Sequence, residues 1–166
     1  PYNNLKERMS YFAGSGSIKK LSRGVYAKDD YDVFELANKL YAPSYISLET
    51  VLQKAGVTFQ YYETIFAVSY LTRKVTVGDA VIQYRQMKGE SLTNLHGIDQ
   101  KDGYFIASPE RAFLDAVFIY KDYHFDNLGG IDWEKVMALT SIYANKSFEK
   151  RVGEYYKMYK EDYGKH

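Results

Sequence analysis

Apolar residues recur along this chain first at helical and later at strand spacing, and the change of rhythm marks out its elements. Leu5, Met9 and Phe12 recur at helical spacing among Lys6, Glu7 and Ser10. That pattern predicts a short helix over Asn3 to Phe12, closed by Gly14-Ser15-Gly16. Ser17 to Leu21 and Val25 to Lys28 read as two strands joined at Ser22-Arg23-Gly24, a tight turn with its glycine. A second helix is predicted over Tyr31 to Tyr41, with Val33, Leu36, Ala37 and Leu40 facing inward. After a third helix the period shortens to two. Thr64 to Leu71, Lys74 to Val77 and Ala80 to Met87 are β-branched and aromatic runs, the last two joined by Gly78-Asp79. Leu92 to Ile98 and Gly103 to Ala107 read as a further strand pair around Asp99 to Asp102. The short joints predict an antiparallel sheet.

Two helix starts are written out in full. In PSYISLETVLQKAG, Ser47 stands where an N-cap belongs, Ile46 and Val51 have the spacing of a hydrophobic staple, and Glu49 places a negative charge in the first turn. Gly56 supplies the stop. In ASPERAFLDA, Ser108 is the cap, Pro109 the first helical residue, and Glu110 follows it. The helix from Ser108 to Tyr120 is apolar nearly all round, so it is expected inside the protein, with Arg111 and Asp115 four apart and able to pair. Asp132 caps another helix through Met137 to Ile142. A last one from Ser147 to about Asp162 aligns Phe148, Val152, Tyr155 and Tyr159. The fold class is α+β: an N-terminal module over residues 1–28, then a mixed domain over 29–166 with an antiparallel sheet packed by helices.

Composition narrows the class further. With 166 residues, 46% hydrophobic and 26% charged, the chain suits an ordinary soluble globular protein. No cysteine is present, which excludes disulfides and zinc–thiolate sites and fits a reducing cytoplasm. No apolar run approaches the ~20 residues that span a bilayer. The chain opens at Pro1 rather than an initiator Met, which reads as a fragment of something longer. Its eighteen tyrosines reflect either codon bias or a partner surface.

Net charge is only +1, but its distribution is uneven. Residues 1–28 hold six basic side chains against Glu7, a local +5. Residues 29–63 hold Lys39 and Lys54 against six acids, a local −4. A helix followed by a basic hairpin is the back half of a winged helix: recognition helix, then wing. Lys6, Arg8, Lys19, Lys20 and Arg23 would neutralise phosphates, and Asn3 and Asn4 would read adenine edges. A solvated basic surface with no partner is the competing account. The helices that would complete a three-helix core are not in the sequence, so the recognition helix is expected to lack packing partners. The last helix, with Lys146, Lys150, Arg151, Lys157 and Lys160 around its tyrosines, either meets nucleic acid or packs the rings and leaves the lysines wet.

Reactive centres are scarce. His96, His124 and His166 lie in no ligand spacing, and no phosphate loop or nucleophile elbow occurs. Asp79 with Gln83 and Arg85 comes nearest to a nuclease pattern and lacks the second acid. No enzyme activity, cofactor or metal is expected. A metal-dependent nuclease stays open only if Asp79, Asp99, Asp102 and Asp115 converge.

Taken in order, Gly24-Val25-Tyr26, then Ser44 to Leu52 with Gly56, then Glu110 to Asp115 resemble the AbiEi-type antitoxins of type IV (abortive-infection) toxin–antitoxin systems. Members show a G-x-Y strand, a psYISleSAL…G helix and an EkAllD helix; Thr50 and Val51 stand here where Ser and Ala are usual. The match spans roughly Lys19 to Tyr120. The resemblance implies an N-terminal winged helix that binds its own operator DNA as an autorepressor. It also implies a C-terminal domain that neutralises a nucleotidyltransferase-like toxin, AbiEii, with no cofactor. Ser47, Glu49, Glu110, Arg111 and Asp115 carry the motifs, in a structural or an antitoxic role. A stand-alone DNA-binding regulator remains the alternative, and oligomeric state is open.

Overall fold

The computed structural model describes residues 2–164. Helix α1 (Tyr2–Gly14) leads into the strands β1 (Lys19–Ser22) and β2 (Val25–Ala27), which pair with each other and with no other strand. Gly24 turns that hairpin at φ +77°. Next come α2 (Val33–Leu40), β3 (Ser44–Ile46), α3 (Glu49–Lys54), β4 (Ile65–Ser69), β5 (Arg73–Val77) and β6 (Ala80–Gln86). The chain finishes with α4 (Glu90–Thr93), β7 (Ile98–Lys101), β8 (Tyr104–Ala107), α5 (Pro109–Tyr120), α6 (Trp133–Thr140) and α7 (Lys146–Tyr163). The class is α+β, as the sequence predicts.

Six strands form one sheet in the order β5-β6-β4-β3-β8-β7. The three pairs β3–β4, β5–β6 and β7–β8 are antiparallel, and the short joints of the last two require it. The expectation of a wholly antiparallel sheet is corrected, because β4–β6 and β3–β8 are parallel. The first of these follows from local folding: β5 reverses direction after β4, and β6 returns between them. Two further corrections concern single segments. Ser44–Ile46 is a buried central strand rather than a lead-in to a helix, and Leu92 sits in the short α4, so the edge strand begins only at Ile98.

Strand alternation sends β3 into two layers. Ser44 Oγ donates to the Asn38 carbonyl of α2 on one face, while Tyr45 and Ser47 reach Asp115 of α5 on the other. Helix α2 thus covers one face of the sheet and α3 with α5 the other, with α6 and α7 packed outside α5. Helix α5 is fully enclosed from Ala112 to Leu114 and again at Ala116 and Val117, as its all-round apolarity predicts. On α2 the inner residues are Phe34, Ala37 and Leu40. Val33 and Leu36, expected inward, are only half-buried; Leu36 faces the cleft under Tyr26 to Lys28.

The caps divide the two written helix starts. Ser108 accepts from the Arg111 N–H at 3.2 Å, with Pro109 opening the helix, as predicted. Asp132 and Asn145 cap α6 and α7 in the same way. Ser47 does not cap α3. The backbone turns at Leu48 (φ 55°), so Leu48 takes the cap position without a side-chain bond and Ser47 points into the core. Ile46 and Val51 consequently lose their staple positions and become core residues. Gly56 ends the helix at φ +70°, as predicted. Where the hairpin leans on the sheet, the β5–β6 turn needs its glycine: a Cβ at Gly78 would stand 3.0 Å from the Tyr31 hydroxyl and 3.5 Å from Leu21 Cδ2.

Candidate functional site

The basic N-terminal module is solvated. Asn4, Lys6 and Arg8 on α1 and Lys19, Lys20 and Arg23 on the hairpin are all exposed; the side chain of Asn3 lies outside the described residues. Helical geometry groups Asn4 with Arg8, four apart, and turns Lys6 about 200° away from Asn4. Lys19 and Lys20 are consecutive on a strand and so point to opposite faces. Lys19 is tied to Asp29 at 3.3 Å, whereas Lys20 makes no ion pair among the described residues. A single surface therefore gathers part of the predicted set, not all of it. Leu5 is 60% exposed and Phe12 39%.

The motif residues lie elsewhere, and they come together. Asp115 accepts from Tyr143 Oη at 2.6 Å, Ser47 Oγ at 2.8 Å, Tyr45 Oη at 3.1 Å and Arg111 Nε at 3.4 Å. Arg111 also donates to the carbonyls of His96 (2.8 Å), Asn94 (3.2 Å) and Ser91, which pins α4 and the following loop to α5. Its guanidinium lies 5.5 Å from the ring of Tyr45 and 5.4 Å from that of Tyr143, between two aromatic faces. Arg111, Asp115 and Ser47 are wholly enclosed. Burial pushes the Asp115 carboxyl up, and the Arg111 charge and three hydroxyl donors oppose it. Burial, followed by the Asp115 charge, holds the Tyr45 and Tyr143 phenols well above their ordinary range.

The two acids of the motifs are buried as well. Glu49, in the first turn of α3, accepts from Tyr120 Oη at 2.9 Å, and Glu110 accepts from the Asp132 N–H at 3.1 Å, fastening α5 to the start of α6. None of the five motif side chains is on the surface, so none offers a partner direct contact in this conformation. Sequence reading found Ser47, Arg111 and Asp115 but missed Tyr45, Tyr143 and the Ser91 carbonyl. Tyr45 stands two residues before Ser47, but the strand Ser44–Ile46 is too short for alternation along the sequence to reveal the shared face.

The acids of the nuclease alternative do not converge. Asp79 sits in the β5–β6 turn at one edge of the sheet, Asp99 and Asp102 lie at the opposite edge, and Asp115 is enclosed. His96 meets Asn94 and His124 meets Asp126; His166 is outside the described residues. No group of three or more His, Cys, Asp or Glu among the described residues is arranged to hold a metal. No described helix is long and apolar enough to cross a membrane. No protein-family model matches the chain, and no curated protein matches it.

Proposed function

We propose that this chain is a cytoplasmic antitoxin and transcriptional autorepressor of the AbiEi type. In this reading α1 and the β1–β2 wing bind operator DNA, and residues 29–166 form the domain that neutralises a nucleotidyltransferase-like toxin. The observation that carries it is the solvation of the N-terminal cations on a helix–hairpin unit whose strands pair with no others. The convergence of the SYIS and ERAFLD motifs on one buried cluster supports it further, since two segments nearly 70 residues apart behave as one structural signature. Asn4 and Arg8 share a helix face suited to base and phosphate contact, with Lys20 and Arg23 as wing contacts.

Binding of the chain to its own promoter fragment, measured by fluorescence anisotropy across a salt series, tests the DNA arm. Replacing Lys19, Lys20 and Arg23 together with Ala should weaken binding to every sequence alike. It should also flatten the salt slope by about 0.9 for each phosphate left without its cation. Binding equal to the parent's would overturn the wing assignment. For the toxin arm, co-expression with a nucleotidyltransferase encoded beside the gene should restore growth; promoter binding without rescue leaves a stand-alone regulator.

A further inference from the structure

On the larger domain, the α3–β4 and α5–α6 connections meet around a cleft of about 310 Å³. Thr58, Phe59, Tyr62, Tyr123, His124 and Asp126 line it, and no lysine or arginine does. Its volume lies at the low end of ligand-sized pockets, enough for one side chain rather than a cofactor. Asp126 supplies a carboxylate already held in place: Oδ2 accepts the Phe59 N–H at 2.8 Å, and Oδ1 lies 3.7 Å from His124 Nε2. Burial raises the Tyr62 and Tyr123 phenols; the buried Glu49 adds to this at both, and Asp126 adds to it at Tyr123.

The fold leaves two rings of this region uncovered. Phe59, which lines the cleft, is 70% exposed, and Tyr61, between the lining residues Gln60 and Tyr62 in the chain, is 72% exposed. Exposed aromatics around a charged pocket are the composition of a protein-binding centre, where they exclude water from the polar contact.

We propose that this cleft receives an arginine side chain presented by a protein partner, with Asp126 as counter-charge and Tyr62 and Tyr123 as aromatic walls. A planar guanidinium fits such a site better than an ammonium, because it stacks on rings while donating in its plane to a carboxylate. The site is separate from the operator-binding module and stands whether or not that module binds DNA.

Amide chemical shifts of the whole chain, titrated with N-acetyl-arginine-methylamide, test it. Saturable shifts are expected at Thr58, Phe59 and His124, at least fivefold weaker with the lysine analogue and absent with norleucine. Asp126→Asn keeps an oxygen for the Phe59 N–H and should weaken binding about tenfold with the melting temperature unchanged. A short peptide with an apolar residue beside its arginine should bind at least tenfold tighter than the capped amino acid, and Phe59→Ala should abolish that gain. Shifts with norleucine as strong as with arginine, or full binding by Asp126→Asn, would overturn the cation site. Equal affinity for peptide and capped arginine would overturn the protein partner.

Discussion

The N-terminal helix and hairpin place charge in water, while the cluster around α5 places it where water is excluded. In the first, Lys6, Arg8, Lys20 and Arg23 are solvated, and the single ion pair among the described residues there, Lys19 with Asp29, is itself exposed. In the second, Arg111 and Asp115 are wholly enclosed and saturated by hydroxyls and carbonyls. A solvated cation keeps its valence for a partner and adds little to folding. A buried pair is tolerable only when its hydrogen bonds are made internally, which leaves nothing to offer a ligand. The most recognisable motif of this chain therefore maintains the fold, and the proposed DNA-binding surface rests on charge rather than on motif.

The largest effect that would test this contrast is at Arg111. Arg111→Met strands the Asp115 carboxylate and removes the donors of three carbonyls, so it should cost about 3–5 kcal/mol in urea unfolding. Lys20→Ala and Arg23→Ala should stay within about 0.5 kcal/mol of the parent. If Arg111→Met cost no more than the surface changes, the cluster would not be what joins α4, β3 and α5.

Local patterning made much of the fold legible. The Ser108 and Asp132 caps, the Gly24 and Gly78 turns and the enclosed α5 were all readable, because each depends on residues within a turn or two of itself. What escaped depends on distant partners. Ser44–Ile46 is too short to show a period, and it became a strand only because β4 and β8 flank it. The parallel pairings follow from where β6 and β8 insert, which spacing along the chain does not encode. The site divides in the same way. The Arg111–Asp115 pair was visible as an i, i+4 spacing, whereas Tyr143, 28 residues beyond Asp115, gave no local signal.

Ser47 and Ser108 look alike in sequence and sharpen the contrast at intermediate size. Ser108 caps α5, so Ser108→Ala should cost about 1 kcal/mol and Ser108→Gly only a few tenths, since glycine is tolerated at a cap. Ser47 donates to a buried carboxylate, a bond worth roughly 1.5–3 kcal/mol, and glycine restores none of it. Unfolding midpoints of Ser47→Ala, Ser47→Gly, Ser108→Ala and Ser108→Gly separate the roles. A Ser47→Gly variant as stable as Ser108→Gly would return Ser47 to the cap.

The smallest effect lies at Glu49, where burial and charge oppose each other. Burial raises its carboxyl from the ordinary value, against the pull of its own N–H, the Tyr120 hydroxyl and Arg85. The folded state then holds the proton more tightly than the unfolded chain does. The stability this group contributes is complete below the ordinary carboxylate range and is lost as pH climbs through the raised value. Glu49→Gln keeps an acceptor for Tyr120 and removes the charge. Its urea midpoint should therefore exceed the parent's at pH 7, and the difference should close by pH 4. A lower midpoint at pH 7 would mean that the attraction of Arg85 outweighs burial, and that this edge of the core follows the electrostatics of the surface.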